Sequence, residues 1–123
     1  MNSIAIIGAS ANREKFGNKA VRAYAKKGWK VFPINPTAEE IEGLKCYPSV
    51  LEIKEDVSIA SLYLPPEVGI RIISELSRKG IERLYLNPGT ESEELIKKCK
   101  RYGIQPLMQC SILAIGEKPS DYG

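Results

Sequence analysis

Short apolar runs alternate with amphipathic stretches along the chain, and this alternation limits the fold more than any other feature of the sequence. Three of the amphipathic stretches stop at a glycine, as helices often do: Gly28, Gly80 and Gly103. Strands that alternate with helices are joined by right-handed crossovers into a parallel sheet with both faces covered. The pattern therefore predicts a doubly wound α/β fold with five parallel strands and helices on both faces.

The apolar runs locate the strands, and the helical spacing of apolar residues locates the helices. We expect strands near residues 4–7, 29–35, 58–64, 83–86 and 104–108, and helices over residues 16–27, 66–79 and 92–102. Thr37 and Glu40 resemble a capping box, which predicts a further helical turn that ends at Gly43. Pro33 indicates the end of the second strand or an irregular place in its pairing. We expect the strand order 3-2-1-4-5, with the winding reversed between the first and fourth strands.

Length and composition fit one folding unit. The chain has 123 residues, of which 43% are hydrophobic and 27% charged, so we expect a single domain over residues 1–123. The net charge is +3 and the basic residues are scattered, which argues against a nucleic-acid partner. No apolar run approaches about 18 residues, and no signal-peptide pattern is present. A cytoplasmic protein without membrane contact is expected.

Residue types that usually carry catalysis or bind metals are sparse. The sequence has no histidine, the commonest general base and zinc ligand. Its three cysteines, Cys46, Cys99 and Cys110, are far apart and form no CxxC motif, so neither a zinc site nor a disulfide framework is expected. No two carboxylates have the spacing of an acid–base pair. We expect no metal, and no catalysis by this chain alone.

The unusual residues of the sequence follow the ends of the predicted strands. In doubly wound sheets, ligands bind beyond the carboxyl ends of the strands, where the winding reverses. One crevice can therefore be lined by five groups of residues: Gly8, Ala9 and Ser10; Asn35 and Pro36; Leu64, Pro65 and Pro66; Asn87, Pro88 and Gly89; and Gln109 and Cys110.

The first of these groups is a turn of small residues, Gly8-Ala9-Ser10, that leads into the first helix. Small residues let a ligand approach the backbone, and the unpaired N–H groups of a first helical turn favour an anion. Arg13, Lys15 and Lys19 add positive charge near this turn. The segment is interpreted either as a nucleotide or phosphate cradle or as a plain strand-to-helix turn that needs small residues.

The turn lacks the features of common nucleotide motifs. A dinucleotide site has a GxGxxG sequence and an acidic residue at the end of the second strand, which bonds the ribose hydroxyls. Here the turn reads GASANR, and the second strand ends at Asn35 and Pro36. A Walker loop is also missing. Neither an NAD site of the usual kind nor ATP hydrolysis is expected.

Five segments, in this order, resemble the small CoA-binding domain proteins: residues 8–10, 33–36, 43–49, 64–66 and 87–92. The Rossmann-like domain of these proteins is similar to the N-terminal domain of the succinyl-CoA synthetase alpha subunit. The resemblance implies coenzyme A binding, with the diphosphate near residues 8–10 and the adenosine near Asn35 and Pro36. It implies that the pantetheine lies along residues 64–66 and 87–89.

Thr37, one of the residues expected to contact CoA, stands where such proteins often carry a lysine. An acidic residue at the end of the second strand would repel the CoA 3′-phosphate, whereas Asn35 would not. Arg13, Lys15 and Lys45 are the candidate cations for this phosphate, or are solvated surface charges.

Two further residues have two interpretations each. Tyr47 either rests on the adenine or covers the sheet edge. The thiol of Cys110 either approaches the thiol of CoA, with which it could form a mixed disulfide, or is a small buried hydrophobic group.

We expect a protein that binds coenzyme A or an acyl-CoA as a non-catalytic carrier, sensor or accessory. Succinyl-CoA synthetase uses a phosphorylated histidine from a second domain, and this chain has no histidine. Two alternatives stay open: an NAD(H)-binding redox sensor or interaction module, and a subunit of a CoA ligase that needs a partner chain. The sequence also leaves open a protein partner or a homo-oligomer.

Overall fold

The structure is a computed structural model that describes residues 2–123. In chain order its strands are β1 (Ser3–Ile7), β2 (Lys30–Ile34), β3 (Glu40–Ile41), β4 (Leu44–Lys45), β5 (Ile59–Leu62), β6 (Arg83–Leu86) and β7 (Gln105–Leu107). Its helices are α1 (Phe16–Lys26), α2 (Pro66–Gly69), α3 (Ile73–Lys79), α4 (Glu93–Arg101) and α5 (Ser111–Ala114). Short 3₁₀ turns occupy Val50–Glu52, Ile70–Ile72 and Pro119–Tyr122. Among the described residues, no helix is long and apolar enough to cross a membrane.

Five of the strands form one parallel sheet in the order β2-β1-β5-β6-β7. Side chains of β1 alternate between its two faces, so Ile4 and Ile6 pack with α1 and α5, whereas Ala5 and Ile7 pack with α3 and α4. The sheet therefore has a hydrophobic core on each side. The predicted class, a Rossmann-like α/β fold with helices on both faces, is confirmed.

The third sheet strand along the chain, β5, lies beside β1 and not beside β2, where the predicted order places it. Counted along the chain, the five strands stand in the order 2-1-3-4-5 and not 3-2-1-4-5, because β5 pairs with β1. The outer edge of β2 is covered by a loop instead. The backbone N–H of Tyr47 donates to the carbonyl oxygen of Pro33, and Asn35 N–H donates to the carbonyl oxygen of Tyr47, each at 3.0 Å. Pro33 has no N–H to donate, which suits an edge strand.

The connection from β2 to β5 is irregular, and the predicted helical turn over residues 37–43 is wrong. That segment forms the antiparallel β3–β4 hairpin, whose turn has positive φ at Glu42 (50°) and Gly43 (78°). The chain then passes to the face opposite α1, where Val50 and Ile53 join the core before β5. The winding therefore reverses between β1 and β5, and not between the first and fourth strands.

Candidate functional site

An open cleft of about 650 Å³ lies beyond the carboxyl ends of β1, β2, β5 and β6. It is lined by the loops after these strands and by the start of α1: Gly8, Ala9, Ser10, Lys15, Phe16, Gly17, Asn35, Pro36, Tyr63, Leu64, Pro65, Pro88, Gly89 and Thr90. Ten of these residues are ones that the sequence singles out as candidate binding residues. The cleft lies at the place where the winding reverses, which is where doubly wound sheets bind ligands.

Two glycines let the backbone segments at the base of the cleft approach each other. Gly8 has a φ of +86°, and a Cβ there would lie 2.7 Å from the carbonyl oxygen of Tyr63. A Cβ on Gly17 would lie 2.3 Å from the carbonyl oxygen of Gly8. Neither position can hold a side chain without a shift of the backbone. The first turn of α1 therefore packs directly against the turn that follows β1.

The start of α1 offers hydrogen-bond donors and a positive charge to the cleft. The helix has no side-chain cap, and the N–H groups of Phe16 and Gly17 have no acceptor among residues 2–123. The side chain of Lys15 lines the cleft beside them. Unpaired N–H groups at a helix N-terminus, together with an ammonium group, favour an anionic ligand.

The side chain of Asn35 joins the loops that follow β1 and β2. Its Nδ2 donates to the carbonyl oxygen of Ala9 at 2.9 Å. Its Oδ1 accepts from the backbone N–H groups of Thr37 and Ala38, also at 2.9 Å. An aspartate at this position could not donate to Ala9, so the amide fixes this wall of the cleft.

A buried polar cluster, formed by Tyr24, Ser61, Tyr63, Asn87 and Ser111, lies beside the cleft. The Ser111 hydroxyl lies 2.7 Å from that of Ser61 and 2.8 Å from that of Tyr63, and the Ser111 carbonyl oxygen accepts from Tyr24 at 2.7 Å. Asn87 Nδ2 donates to Ser61 and to a carbonyl oxygen of β5, each at 2.8 Å, and its Oδ1 accepts from Ser111 N–H at 2.9 Å. The cluster thus links β5, β6, α1 and α5.

Tyr63 belongs both to the polar cluster and to the lining of the cleft. Burial raises the pKa of its hydroxyl to about 12, although hydrogen bonds with Ser111 and Ser61 oppose this shift. The hydroxyl therefore stays protonated at neutral pH. The groups of the cleft that can bond an anion include the N–H groups at the start of α1 and the ammonium of Lys15.

The candidate cations for a 3′-phosphate differ in position. Lys15 lines the cleft. Arg13 lies on the exposed surface, where its guanidinium is 3.5 Å from the carboxylate of Glu42. The ammonium of Lys45 lies 5.1 Å from the ring centroid of Tyr47, outside the cleft lining. Thr37 is exposed and also lies outside the lining.

Four more candidate residues lie outside the cleft lining. Asn87 is in the buried polar cluster, and Pro66 is the first residue of α2. Tyr47 covers the edge of β2, with its ring centroid 5.9 Å from that of Phe32. Cys110 immediately precedes α5 and is half-buried. These positions support the interpretation of Tyr47 as an edge cover. Asn87, which the sequence predicts in the lining of the crevice, lies instead in the buried polar cluster.

Four residues of the cleft lining are not predicted from the sequence: Phe16, Gly17, Tyr63 and Thr90. Phe16 is an aromatic residue at the start of a helix, and it is 55% exposed with the Lys19 ammonium 5.2 Å from its ring centroid. Tyr63 directly precedes Leu64, so its place at the end of β5 is the signal that could have found it. Thr90 lies in the segment 87–92 that carries the family resemblance, but the sequence does not mark it as a binding residue.

The fold and the cleft define a Rossmann-like domain of the kind that binds nucleotides where the winding reverses. The sequence model of the CoA-binding domain family matches residues 2–117. The chain belongs to this family, which confirms the resemblance seen in the sequence.

The chain is similar to longer ligases and to short proteins. It is 35% identical over 111 residues to the acetate–CoA ligase [ADP-forming] of Methanocaldococcus jannaschii, a match that covers 84% of this chain and 16% of the ligase. It superposes on a conserved hypothetical protein of Pyrococcus furiosus with a TM-score of 0.86 and 37% identity, covering 93% of this chain and 99% of that one.

A third similar structure is the dinucleotide-forming acetyl-coenzyme A synthetase 1 of Ca. Korarchaeum cryptofilum, in complex with phosphate and ADP. The TM-score is 0.78 and the identity 32%, over 88% of this chain and 25% of the synthetase. The chain spans only 14% to 16% of the length of three curated ligase relatives.

Proposed function

We propose that this chain binds coenzyme A, or an acyl-CoA, in the cleft and acts as a carrier, sensor or accessory without catalysis of its own. The observation that carries the proposal is the start of α1, where two N–H groups without an acceptor among residues 2–123 and the side chain of Lys15 border the cleft. This arrangement suits the diphosphate of CoA.

The other walls suit the remaining parts of CoA. Asn35 and Pro36, at the end of β2, would contact the adenosine, and no carboxylate among the described lining residues would repel its 3′-phosphate. The pantetheine arm would lie between Leu64-Pro65 and Pro88-Gly89, whose backbone and apolar surfaces match an amide chain with short alkyl segments.

The relatives favour a second candidate, in which this chain is the CoA-binding part of an ADP-forming ligase and works with a partner chain. It is 29% identical over 113 residues to the alpha subunit of an acetate–CoA ligase [ADP-forming] of Pyrococcus furiosus. The sequence contains no histidine, so any phosphohistidine step would use a residue outside these 123 residues. Formation of acetyl-CoA from acetate, ATP and CoA by this chain alone would contradict the non-catalytic role.

The test is calorimetric titration of nucleotide-free protein with CoA, dephospho-CoA and NAD under reducing conditions. We expect CoA to bind with a dissociation constant of about 10 μM or lower, and dephospho-CoA to bind more weakly because it lacks the 3′-phosphate. Stronger binding of NAD than of CoA, or no binding of either, would contradict the proposal.

A further inference from the structure

The guanidinium of Arg22, on α1, joins three parts of the chain. Its Nε donates to Asn18 Oδ1 at 2.7 Å, and its Nη2 donates to the carbonyl oxygen of Arg13 at 3.0 Å. The same Nη2 donates to the carbonyl oxygen of Tyr122. Because a guanidinium is planar and rigid, each of these bonds helps to fix the geometry of the other two. Arg22 therefore ties the loop before α1 to the turn Pro119–Tyr122.

The loop before α1, residues 10–15, which we call the cleft loop, is held to the helix at two points. Asn18 is fully buried, and its Nδ2 donates to the carbonyl oxygen of Ser10 at 2.9 Å. The second point is the bond from the guanidinium to the carbonyl oxygen of Arg13. Ser10 and Lys15, at the two ends of the cleft loop, line the cleft. The positions of these two residues therefore depend on side chains of α1 that lie outside the lining.

The turn Pro119–Tyr122 lies on α1 and is held there by its last residue. Tyr122 is 8% exposed, and its ring packs in the core on this face of the sheet. Its hydroxyl donates to the carboxylate of Glu117, and the guanidinium carbon of Arg22 lies 5.5 Å from its ring centroid. The other residues of the turn are exposed or half-buried. A segment held by one buried side chain opens at a lower cost in free energy than the core elements do.

Detachment of this turn removes one acceptor from the guanidinium of Arg22. The Nη2 group has two N–H bonds, one for Arg13 and one for Tyr122, so one N–H loses its partner when the Tyr122 carbonyl leaves. The ring that lies beside the guanidinium leaves with it. The guanidinium can then turn toward solvent, which releases the carbonyl oxygen of Arg13 and loosens the cleft loop.

We propose that Arg22 is a positioning residue that couples the cleft to the Pro119–Tyr122 turn: the docked turn holds Arg22 in the orientation that fixes the cleft loop for CoA. This inference rests on the proposed function, because the coupled ligand is the one bound in the cleft. Coupling is reciprocal, so bound CoA stabilises the docked turn by the same factor by which the docked turn raises the CoA affinity. A partner that draws the turn away from α1 would weaken CoA binding.

The first test uses the wild-type chain and measures hydrogen exchange of single amides by NMR. Saturating CoA should slow exchange of the Asp121 amide, which donates to the carbonyl oxygen of Lys118, at least about fivefold, the lower end of the range for coupled sites. The Gly103 amide, which donates to Lys100 at the end of α4, is the control and should exchange at the same rate with and without CoA. An unchanged exchange rate of Asp121 would overturn the coupling.

The second test detaches the turn. Tyr122→Ser removes the buried ring and should weaken CoA binding at least about fivefold in calorimetric titration. Tyr102→Ser is the matched control, because Tyr102 is 39% exposed at the end of α4, and this variant should keep the wild-type affinity within about twofold. Thermal midpoints check that both variants fold. Equal CoA affinity of Tyr122→Ser and wild type would overturn the proposal.

Arg22→Met completes a double-mutant cycle with Tyr122→Ser. The single variant should itself weaken CoA binding. In its presence Tyr122→Ser should change the affinity by less than about twofold, because the guanidinium that transmits the effect is gone. A merely structural role of Tyr122 would lower the affinity by the same factor with and without Arg22, and this result would overturn the role of Arg22.

These outcomes separate the coupling from the proposed function. If wild type binds CoA, and neither Asp121 exchange nor Tyr122→Ser reveals a link to the turn, the coupling is excluded and the proposed function stands. If wild type binds no CoA at all, the proposed function fails and the coupling fails with it.

Discussion

The side-chain oxygen of Asn87 accepts a hydrogen bond from the backbone N–H of Ser111 at 2.9 Å, which ties the loop after β6 to the start of α5. The same side chain donates to Ser61, and it is only 3% exposed. Asn87 therefore does not line the cleft. It supports the turn at Pro88 and Gly89, which does.

Asn87→Ala should lower the free energy of unfolding by about 2 kcal/mol or more, because it leaves the buried Ser111 N–H and a β5 carbonyl oxygen without their partner. Asn12→Ala is the control, since Asn12 is exposed and its side chain bonds only a neighbouring loop N–H. The control should change the free energy by about 0.5 kcal/mol or less. Urea unfolding measures both, and equal effects would contradict the structural role of Asn87.

Gly17→Ala should lower the free energy of unfolding by about 1–3 kcal/mol, because a Cβ would lie 2.3 Å from the Gly8 carbonyl oxygen and force α1 away from the β1 turn. The shift should also weaken CoA binding, since the N–H groups of the first helical turn move. Gly28→Asn is the matched control. Gly28 has a φ of +84°, no atom lies within 4 Å of the place that a Cβ would take, and asparagine tolerates this conformation.

The two glycine variants are compared by urea unfolding and by titration with CoA. If Gly17→Ala matches Gly28→Asn in both its unfolding free energy and its CoA affinity, the close contact between Gly8 and Gly17 is required neither for stability nor for CoA binding.

The sequence predicts the elements of this fold well because their signals are local. Apolar runs, helical spacing and the glycine at the end of each long helix all act within a few residues. The predicted position of β5, beside β2, is wrong, because the position depends on which of the two free strand edges, that of β1 or that of β2, the next strand pairs with. Pro33 carried that information, since a residue without N–H in β2 fits an edge strand and not a central one.

The sequence predicts which loops form the candidate site, because the topology of the sheet alone determines this. Parallel strands bring their carboxyl ends to one edge, so the loops at Gly8, Asn35, Leu64 and Gly89 meet in one cleft. Which side chains face a ligand and which support the loops depends on three-dimensional packing. For this reason the sequence predicts Asn87 in the lining of the cleft, whereas the packing of β5 and α5 buries its side chain.

Lys15→Gln should weaken CoA binding about fivefold at low ionic strength and reduce the salt dependence of the affinity, because Lys15 is the candidate cation that lines the cleft. Arg13→Gln and Lys45→Gln should change the affinity by less than about twofold. Arg13 already pairs with Glu42, and Lys45 lies over Tyr47. Titrations of each variant with CoA at two salt concentrations measure these effects. A larger loss of CoA affinity in Arg13→Gln than in Lys15→Gln would refute the assignment of Lys15 as the cation that binds CoA.

Protein stability should fall as the pH rises from about 9 to 11, in part because of Cys99. Burial raises the pKa of its thiol from 9.0 to about 11. Within this range the unfolded chain loses the thiol proton while the folded protein keeps it, so the unfolded state gains relative stability. The contribution of Cys99 is complete below pH 9 and is lost as the pH rises through the folded pKa.

Cys99→Ala should therefore show a shallower decline of the unfolding free energy between about pH 9 and 11, measured by urea unfolding at several pH values. Cys110→Ala serves as the control, because Cys110 is half-buried at the start of α5. The slope is the quantity to compare, since each variant also changes packing. A slope for Cys99→Ala as steep as that of wild type would be inconsistent with the raised pKa.

The cleft as the binding place of CoA is tested most directly by amide chemical-shift mapping of the ¹⁵N-labelled protein. We expect CoA to shift the backbone amides of Gly8, Ser10, Phe16, Gly17 and Gly89, which border the cleft. Amides of Glu67 and Glu93, which line a separate cavity between α2 and α4, should stay in place. Shifts confined to that cavity, or no shifts at saturating CoA, would contradict the claim that the cleft between β1 and β5 binds coenzyme A.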